Sequence, residues 1–134
     1  MNHCKKLKKL NRTPSHRQAL LRNLSRELIL NDRIETTEPK ARALRPFIEK
    51  LVTMGKKGQD PERLVAMQRL AAKNLNNDRD VTYRLFHEIV PRFADRDGGY
   101  TRIIKVRNRR GDNAPLALIE FVESGHEEAA ESEE

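Results

Sequence analysis

Residues 101–122 read TRIIKVRNRRGDNAPLALIEFV, and this stretch decides the fold. Upstream of it apolar residues recur every three or four positions; here the period drops to two, the signature of side chains alternating across a strand. Thr101 to Arg107 alternates, with Ile104 and Val106 on one side and Lys105 and Arg107 on the other, while Leu116 to Val122 is apolar enough for a buried strand. Between them, Arg109-Arg110-Gly111-Asp112-Asn113 supplies the residues of a hairpin tip. A hairpin that follows a series of helices makes an α+β chain.

Working back from the hairpin, four helices are predicted. Ser15 caps the first, with Gln18 three residues on as the return half of a capping box, and the helix runs to about Asn31. Leu20, Leu21, Leu24 and Leu28 form its packing stripe and Arg22 and Arg26 project from the other side. Ile34 to Thr37 is a β-branched stretch that reads as a strand, with Thr37 capping a second helix over about residues 38–55. That helix takes Pro39 in its first turn, carries Leu44, Phe47, Ile48, Leu51 and Val52 on one face, and should bend at Pro46. Residues 55–58 read as a linker. Asp60-Pro61 opens a third helix bearing Leu64, Met67, Leu70 and Ala71, and Asp78 or Asp80 opens a fourth, which buries Leu85, Phe86, Ile89 and Val90 and stops at Pro91. The expectation is a two-layer domain over residues 14–122, four helices on a three-stranded sheet with strands near 33–37, 101–107 and 115–122.

The flanks differ in kind. Residues 1–13 hold five basic side chains and no sustained apolar period, so this leader should be disordered until a partner orders it. Residues 123–134 hold six glutamates and no large apolar residue, a solvated acidic tail. The tail hides how basic the rest is. All 27 Lys and Arg precede it, facing only 14 of the 20 acids, so the net charge of +7 becomes +13 over residues 1–122. The first 26 residues carry eight basic groups and no acid, a field that attracts a polyanion.

Several function classes fall away. At 134 residues the chain has room for one domain, not a two-domain enzyme. The longest apolar run is four residues, against roughly 20 for a membrane span, and the basic start lacks the apolar core of a secretory signal, so a cytosolic location is expected. Cys4 is the only cysteine; with His3, His16 and His87 it gives no zinc-ligand spacing, and a thiol on an unstructured leader has no positioned base. Gly98-Gly99-Tyr100-Thr101-Arg102 lacks the lysine of a nucleotide-binding loop and reads as a turn into a strand, compatible with close approach to an RNA backbone. Arg110-Gly111-Asp112 matches a cell-adhesion tripeptide, in a chain without an export signal. Glu35, Glu38 and Glu49 sit in no apolar context that would raise a pKa for acid–base work. No cofactor and no small-molecule substrate are expected.

What remains is nucleic-acid binding by Lys5, Lys6, Lys8, Lys9, Arg12, Arg17, Arg22 and Arg26, with Lys105, Arg107, Arg109 and Arg110 on the hairpin and His3 and His16 as further phosphate contacts. Aromatics make up only 4% of the chain, which favours backbone and shape recognition over base stacking. A free-standing DNA-architectural protein would show the same charge.

The residues also resemble one family. Leu10-Asn11-Arg12, His16-Arg17-Gln18-Ala19, Arg22-Asn23-Leu24, Ile34-Glu35-Thr36-Thr37, Lys40-Ala41, Leu44-Arg45, Leu85-Phe86, Pro91-Arg92-Phe93-Ala94, Gly98 to Ile103 and Gly111 to Pro115 together are similar to the bacterial large-subunit ribosomal protein numbered seventeen. The resemblance runs in order over about residues 1–122. It implies a non-enzymatic, cytoplasmic protein bound to large-subunit ribosomal RNA near the outer end of the peptide exit tunnel, beside other ribosomal proteins, with a fold like the α+β one above. It further implies RNA-facing positions at Lys5 to Arg12, at His16, Arg17 and Arg22, and at Gly98, Gly99, Tyr100 and Arg102. Asn2 and Cys4 stand where the family usually has basic residues, and residues 56–75 depart from its usual length and detail.

Overall fold

The structure, a computed structural model, describes residue 10 and residues 12–122. The N-terminal leader up to Lys9 and the acidic tail from Glu123 lie outside the described residues, and with them the expectations placed there. Helices α1 (Pro14–Asn31), α2 (Glu38–Lys57), α3 (Leu64–Lys73) and α4 (Arg79–Arg84) accompany strands β1 (Arg33–Thr37), β2 (Thr101–Asn108) and β3 (Pro115–Phe121). The sheet is antiparallel in the order β1-β3-β2, with the helices packed on one face, so the α+β expectation holds.

Local chemistry moves several boundaries. Thr13, not Ser15, caps α1: its Oγ1 accepts from His16 N–H at 3.5 Å, because Pro14, with its fixed φ and absent N–H, suits the first helical position and so places the cap two residues earlier than expected. The helix buries Ser25, Leu28 and Ile29, and Leu21 and Leu24 pack against the core from its edge. Ser25 is tolerated there because its hydroxyl donates to Leu21 O at 2.7 Å. Asp32 ends the helix in the left-handed region at φ 65°.

Pro39 lies in the first turn of α2 and Pro46 lies inside it, and the stripe Leu44, Ile48, Leu51 and Val52 is buried as its spacing requires. Each such side chain contributes about 1.5–3 kcal/mol of burial. The expected linker at residues 55–58 is not one: α2 continues to Lys57, and Gly55 is buried where a Cβ would stand 2.2 Å from Val90 Cγ2. Glycine here is a packing residue that lets α2 approach Val90.

Helix α3 starts at Leu64 rather than at Asp60-Pro61, because residues 60–63 close a separate turn, with Arg63 N–H donating to Asp60 O at 3.0 Å and Glu62 N–H to Asp60 Oδ1 at 3.1 Å. Its inward residues are Leu64, Met67 and Ala71, with Leu75 just beyond; Leu70, expected inside, is exposed. Asp78 does cap α4, accepting from Asp80 and Val81 N–H. Pro91 does not stop the chain's coiling. A π turn over Leu85–Ile89 passes into a 3-10 turn over Val90–Phe93, so Pro91 falls at the start of a new helical turn where its missing N–H is not needed. Leu85, Phe86, Ile89 and Val90 are all buried as expected.

In the sheet, Ile34, Ile119 and Ile103 lie side by side on the core face, and Phe93, Tyr100 and Phe121 close one end with ring centroids 5.2 and 6.0 Å apart. The simple alternation expected for β2 breaks at a bulge between Lys105 and Arg107. Lys105 stands opposite core-facing Ala117, but Arg107 comes opposite Leu116, on the same outer face as Ile104 opposite Leu118. The extra residue, Val106, changes the face. Ile104 and Val106 are exposed, and Ile103 is the isoleucine of β2 that packs on the core.

Candidate nucleic-acid interface

The hairpin tip carries the best-defined cationic geometry. Arg109 N–H donates to Ala114 O at 2.7 Å and Asn113 N–H to Arg109 O at 2.9 Å, closing a turn in which Gly111 and Asn113 take positive φ, 103° and 58°. Glycine and asparagine are the residues that accept such angles cheaply. Asp112 then clamps the Arg109 guanidinium with two hydrogen bonds, 3.0 Å from Nε and 2.5 Å from Nη2. That arginine, helped by Ala114 N–H, holds the Asp112 carboxyl down at about 2 and raises the guanidinium in return. Arg107 is fixed by Glu35 at 3.0 Å. Arg110 has no carboxylate partner among the described residues. Together Arg107, Asn108, Arg109 and Arg110 surround a hollow of about 520 Å³ with Leu116 at its wall. Three guanidinium groups, two held in place by acids and one unpaired, suit an anionic oxygen framework.

A second cationic group sits at the start of α1. Arg12 and His16 are exposed, Arg17 and Arg22 half-buried, and none of the three arginines meets a carboxylate among the described residues. Arg26 is different: it reaches across to Asp78 at 2.7 Å, joining α1 to the cap of α4, and its Nε is buried without a hydrogen-bond partner. That hydrogen bond, together with Val81 N–H, holds the Asp78 carboxyl below its ordinary range. Arg26 thus serves the fold rather than a cationic face. His3, Lys5, Lys6, Lys8 and Lys9 lie outside the described residues.

Around the glycine turn, Gly98 and Gly99 are open to solvent with no atom within 4 Å of an added Cβ, and Gly99 has φ 61°. Tyr100 is 3% exposed; its ring faces the core, with the Lys56 ammonium 5.5 Å from its centroid. Arg102 pairs with Glu120 at 2.7 Å and Lys105 reaches Glu38 at 3.8 Å. Among the described residues no three His, Cys, Asp or Glu side chains gather as metal ligands, and no helix is long and apolar enough to cross a membrane.

The model of the family described as Ribosomal protein L17 matches residues 20–122. The chain belongs to the ribosomal protein L17 family. Among its relatives is the large ribosomal subunit protein bL17 of Shouchella clausii (strain KSM-K16), 53% identical over 116 residues that cover 85% of this chain and 97% of the relative. Ribosomal L17 proteins are structural proteins and not enzymes. In this L17 chain the helix–sheet framework brings Arg107, Arg109 and Arg110 into one hollow and leaves the arginines of α1 as a separate group. Sequence reasoning passed over Arg33, Arg69 and Arg79, exposed and without carboxylate partners among the described residues. Their neighbours in sequence carry no distinctive pattern, so only packing reveals which arginines remain unpaired.

Proposed function

We propose that this L17 protein is a structural constituent of the large ribosomal subunit, working in the cytoplasm as part of the ribosome. It binds ribosomal RNA by neutralising phosphates and so supports subunit assembly and translation. The observation that carries this reading is the arginine-lined hollow at the hairpin tip, whose charge the domain's own packing does not require. The basic leader, with Lys5, Lys6, Lys8, Lys9, Arg12 and His3, and the start of α1, with His16, Arg17 and Arg22, form the other contact region. The open backbone at Gly98 and Gly99 lets a phosphodiester approach without a side chain in the way. Two cationic regions on one rigid domain suit a protein that holds separate RNA segments together. Its place is near the outer end of the exit tunnel, beside neighbouring ribosomal proteins, as the family resemblance implies.

The test is sedimentation of a tagged full chain through high salt. Cosedimentation with large subunits, rather than with small subunits or free protein, is the expected result. Recovery in the nucleoid or free fraction would favour a DNA-architectural role and remove this one. Charge in general cannot separate the two, because both partners release counterions from phosphates.

A further inference from the structure

A groove between α3 and α4 holds chemistry that the cationic hollow lacks. Tyr83 is 61% exposed, large and apolar for such a position, and stays outside the core cluster. One turn along, His87 stacks on it with ring centroids 4.1 Å apart and planes 30° from parallel. The phenol ring is thereby held in a fixed plane instead of sweeping through solvent. Val65, 56% exposed, adds an apolar wall from α3, and Gln68 an amide. Arg69 and Arg79 line the same groove of about 370 Å³, neither with a carboxylate partner among the described residues, and no acid lines it.

An apolar protein partner would have to bury two guanidinium groups at a desolvation cost that nothing in the groove offsets. An unpaired nucleotide uses every part of the set: the ring face takes the base, the arginines take the phosphates on either side, and the amide meets the base edge. An A-form duplex cannot do so, since its bases are stacked within the helix. We propose that this groove binds a single extruded nucleotide of RNA by stacking its base against Tyr83. The inference rests on the ribosomal-RNA reading above and adds a base-stacking contact to the phosphate contacts there.

The test compares the full chain with Tyr83→Ala, Tyr83→Phe and Tyr83→Leu variants, each checked for folding by circular dichroism. The probes are a labelled single-stranded octaribonucleotide and a duplex of the same sequence, followed by fluorescence anisotropy across a salt series. Tyr83→Ala should weaken single-strand binding by about 5- to 100-fold, as removal of a stacking aromatic does, and leave duplex binding within about twofold. The ratio should persist at high salt, because stacking releases no counterions. Tyr83→Phe should bind as the native chain does, while Tyr83→Leu should not. Equal rescue by leucine would mark the groove as an apolar protein-docking patch and overturn the proposal. So would an unchanged single-strand affinity in Tyr83→Ala. If the native chain bound ribosomal RNA normally in that case, only the stacking inference would fall; if it bound no RNA at all, the ribosomal reading would fall with it.

Discussion

Gly55 offers a quantitative test of how α2 meets the turn at Val90. Replacing it by alanine adds a Cβ 2.2 Å from Val90 Cγ2, far inside van der Waals contact, on a residue that is itself fully buried. Two effects oppose each other. Alanine is a better helix former than glycine by about 0.5–1 kcal/mol, whereas forcing a methyl into a filled core costs about 1–3 kcal/mol. The clash wins, and Gly55→Ala should lose about 1–2 kcal/mol, or roughly 3–8 °C in Tm for a domain of this size. In a Val90→Ala background the offending methyl is absent, and the same substitution should be neutral or slightly stabilising. Urea and thermal denaturation by circular dichroism on all four chains of this cycle gives the coupling directly. Equal destabilisation in both backgrounds would show that the contact with Val90 is not why glycine stands there.

Asp78→Ala removes both the α4 cap and the partner of Arg26, and should cost about 2–4 kcal/mol, while Asp78→Asn keeps the cap and loses less. Because the Asp78 carboxyl lies below its ordinary range in the folded chain, its contribution is present above about pH 4 and fades as pH falls through the lowered value; urea midpoints at pH 7 and pH 3 should therefore converge between the native chain and Asp78→Asn. Reversing Arg109 and Arg110 to glutamate should weaken incorporation into large subunits without lowering Tm by more than a degree or two, since both side chains are exposed; unchanged incorporation in a sedimentation assay would remove the hairpin from the interface. Deleting residues 2–12 should make the log–log salt slope for ribosomal RNA binding shallower by up to about 3–4 units, and leave the helix signal intact because Thr13 still caps α1; filter binding and circular dichroism check the two halves.

The architecture was legible because its largest free-energy terms are periodic in sequence. The stripe on α2 repeats a single burial pattern, so its face follows from spacing alone, and the change of period at 101–122 marks the hairpin even though the bulge at Val106 reverses which residues of β2 face inward. Errors gathered where a single pairwise contact outweighs a local preference. Gly55 resembles a linker glycine until Val90 is seen against it, and Arg26 resembles a surface cation until Asp78 meets it across 52 positions of chain. Pro91 signals a helix end by its chemistry, yet the π turn before it shifts the hydrogen-bond frame so that the ring fits. At the candidate site the positions of the basic residues were evident, but their partners were not: Glu35 for Arg107 and Glu120 for Arg102 come from other strands. Nothing in the sequence sets Tyr83 apart, and His87 enters there only as a rejected zinc ligand; their stacking and the exposure of Tyr83 are visible in the structure alone.

The bulge at Val106 separates two design problems along one strand. Before it, β2 must match the hydrophobic core, with Ile103 facing in; beyond it, the phase is reset and Arg107 joins the outer face on the way to the tip. Were the ladder regular, Val106 would stand opposite Leu116 and Arg107 would fall one position further on, on the face of Lys105 and Glu38 and away from Glu35. The hollow at the tip would then lose one of its three guanidinium groups. Deleting Val106 itself would keep Arg107 opposite Leu116 and only straighten the strand, because the unpaired residue takes no place in the register. The side of the sheet on which the tip charges stand is therefore set by the bulge, although the bulged residue carries no charge.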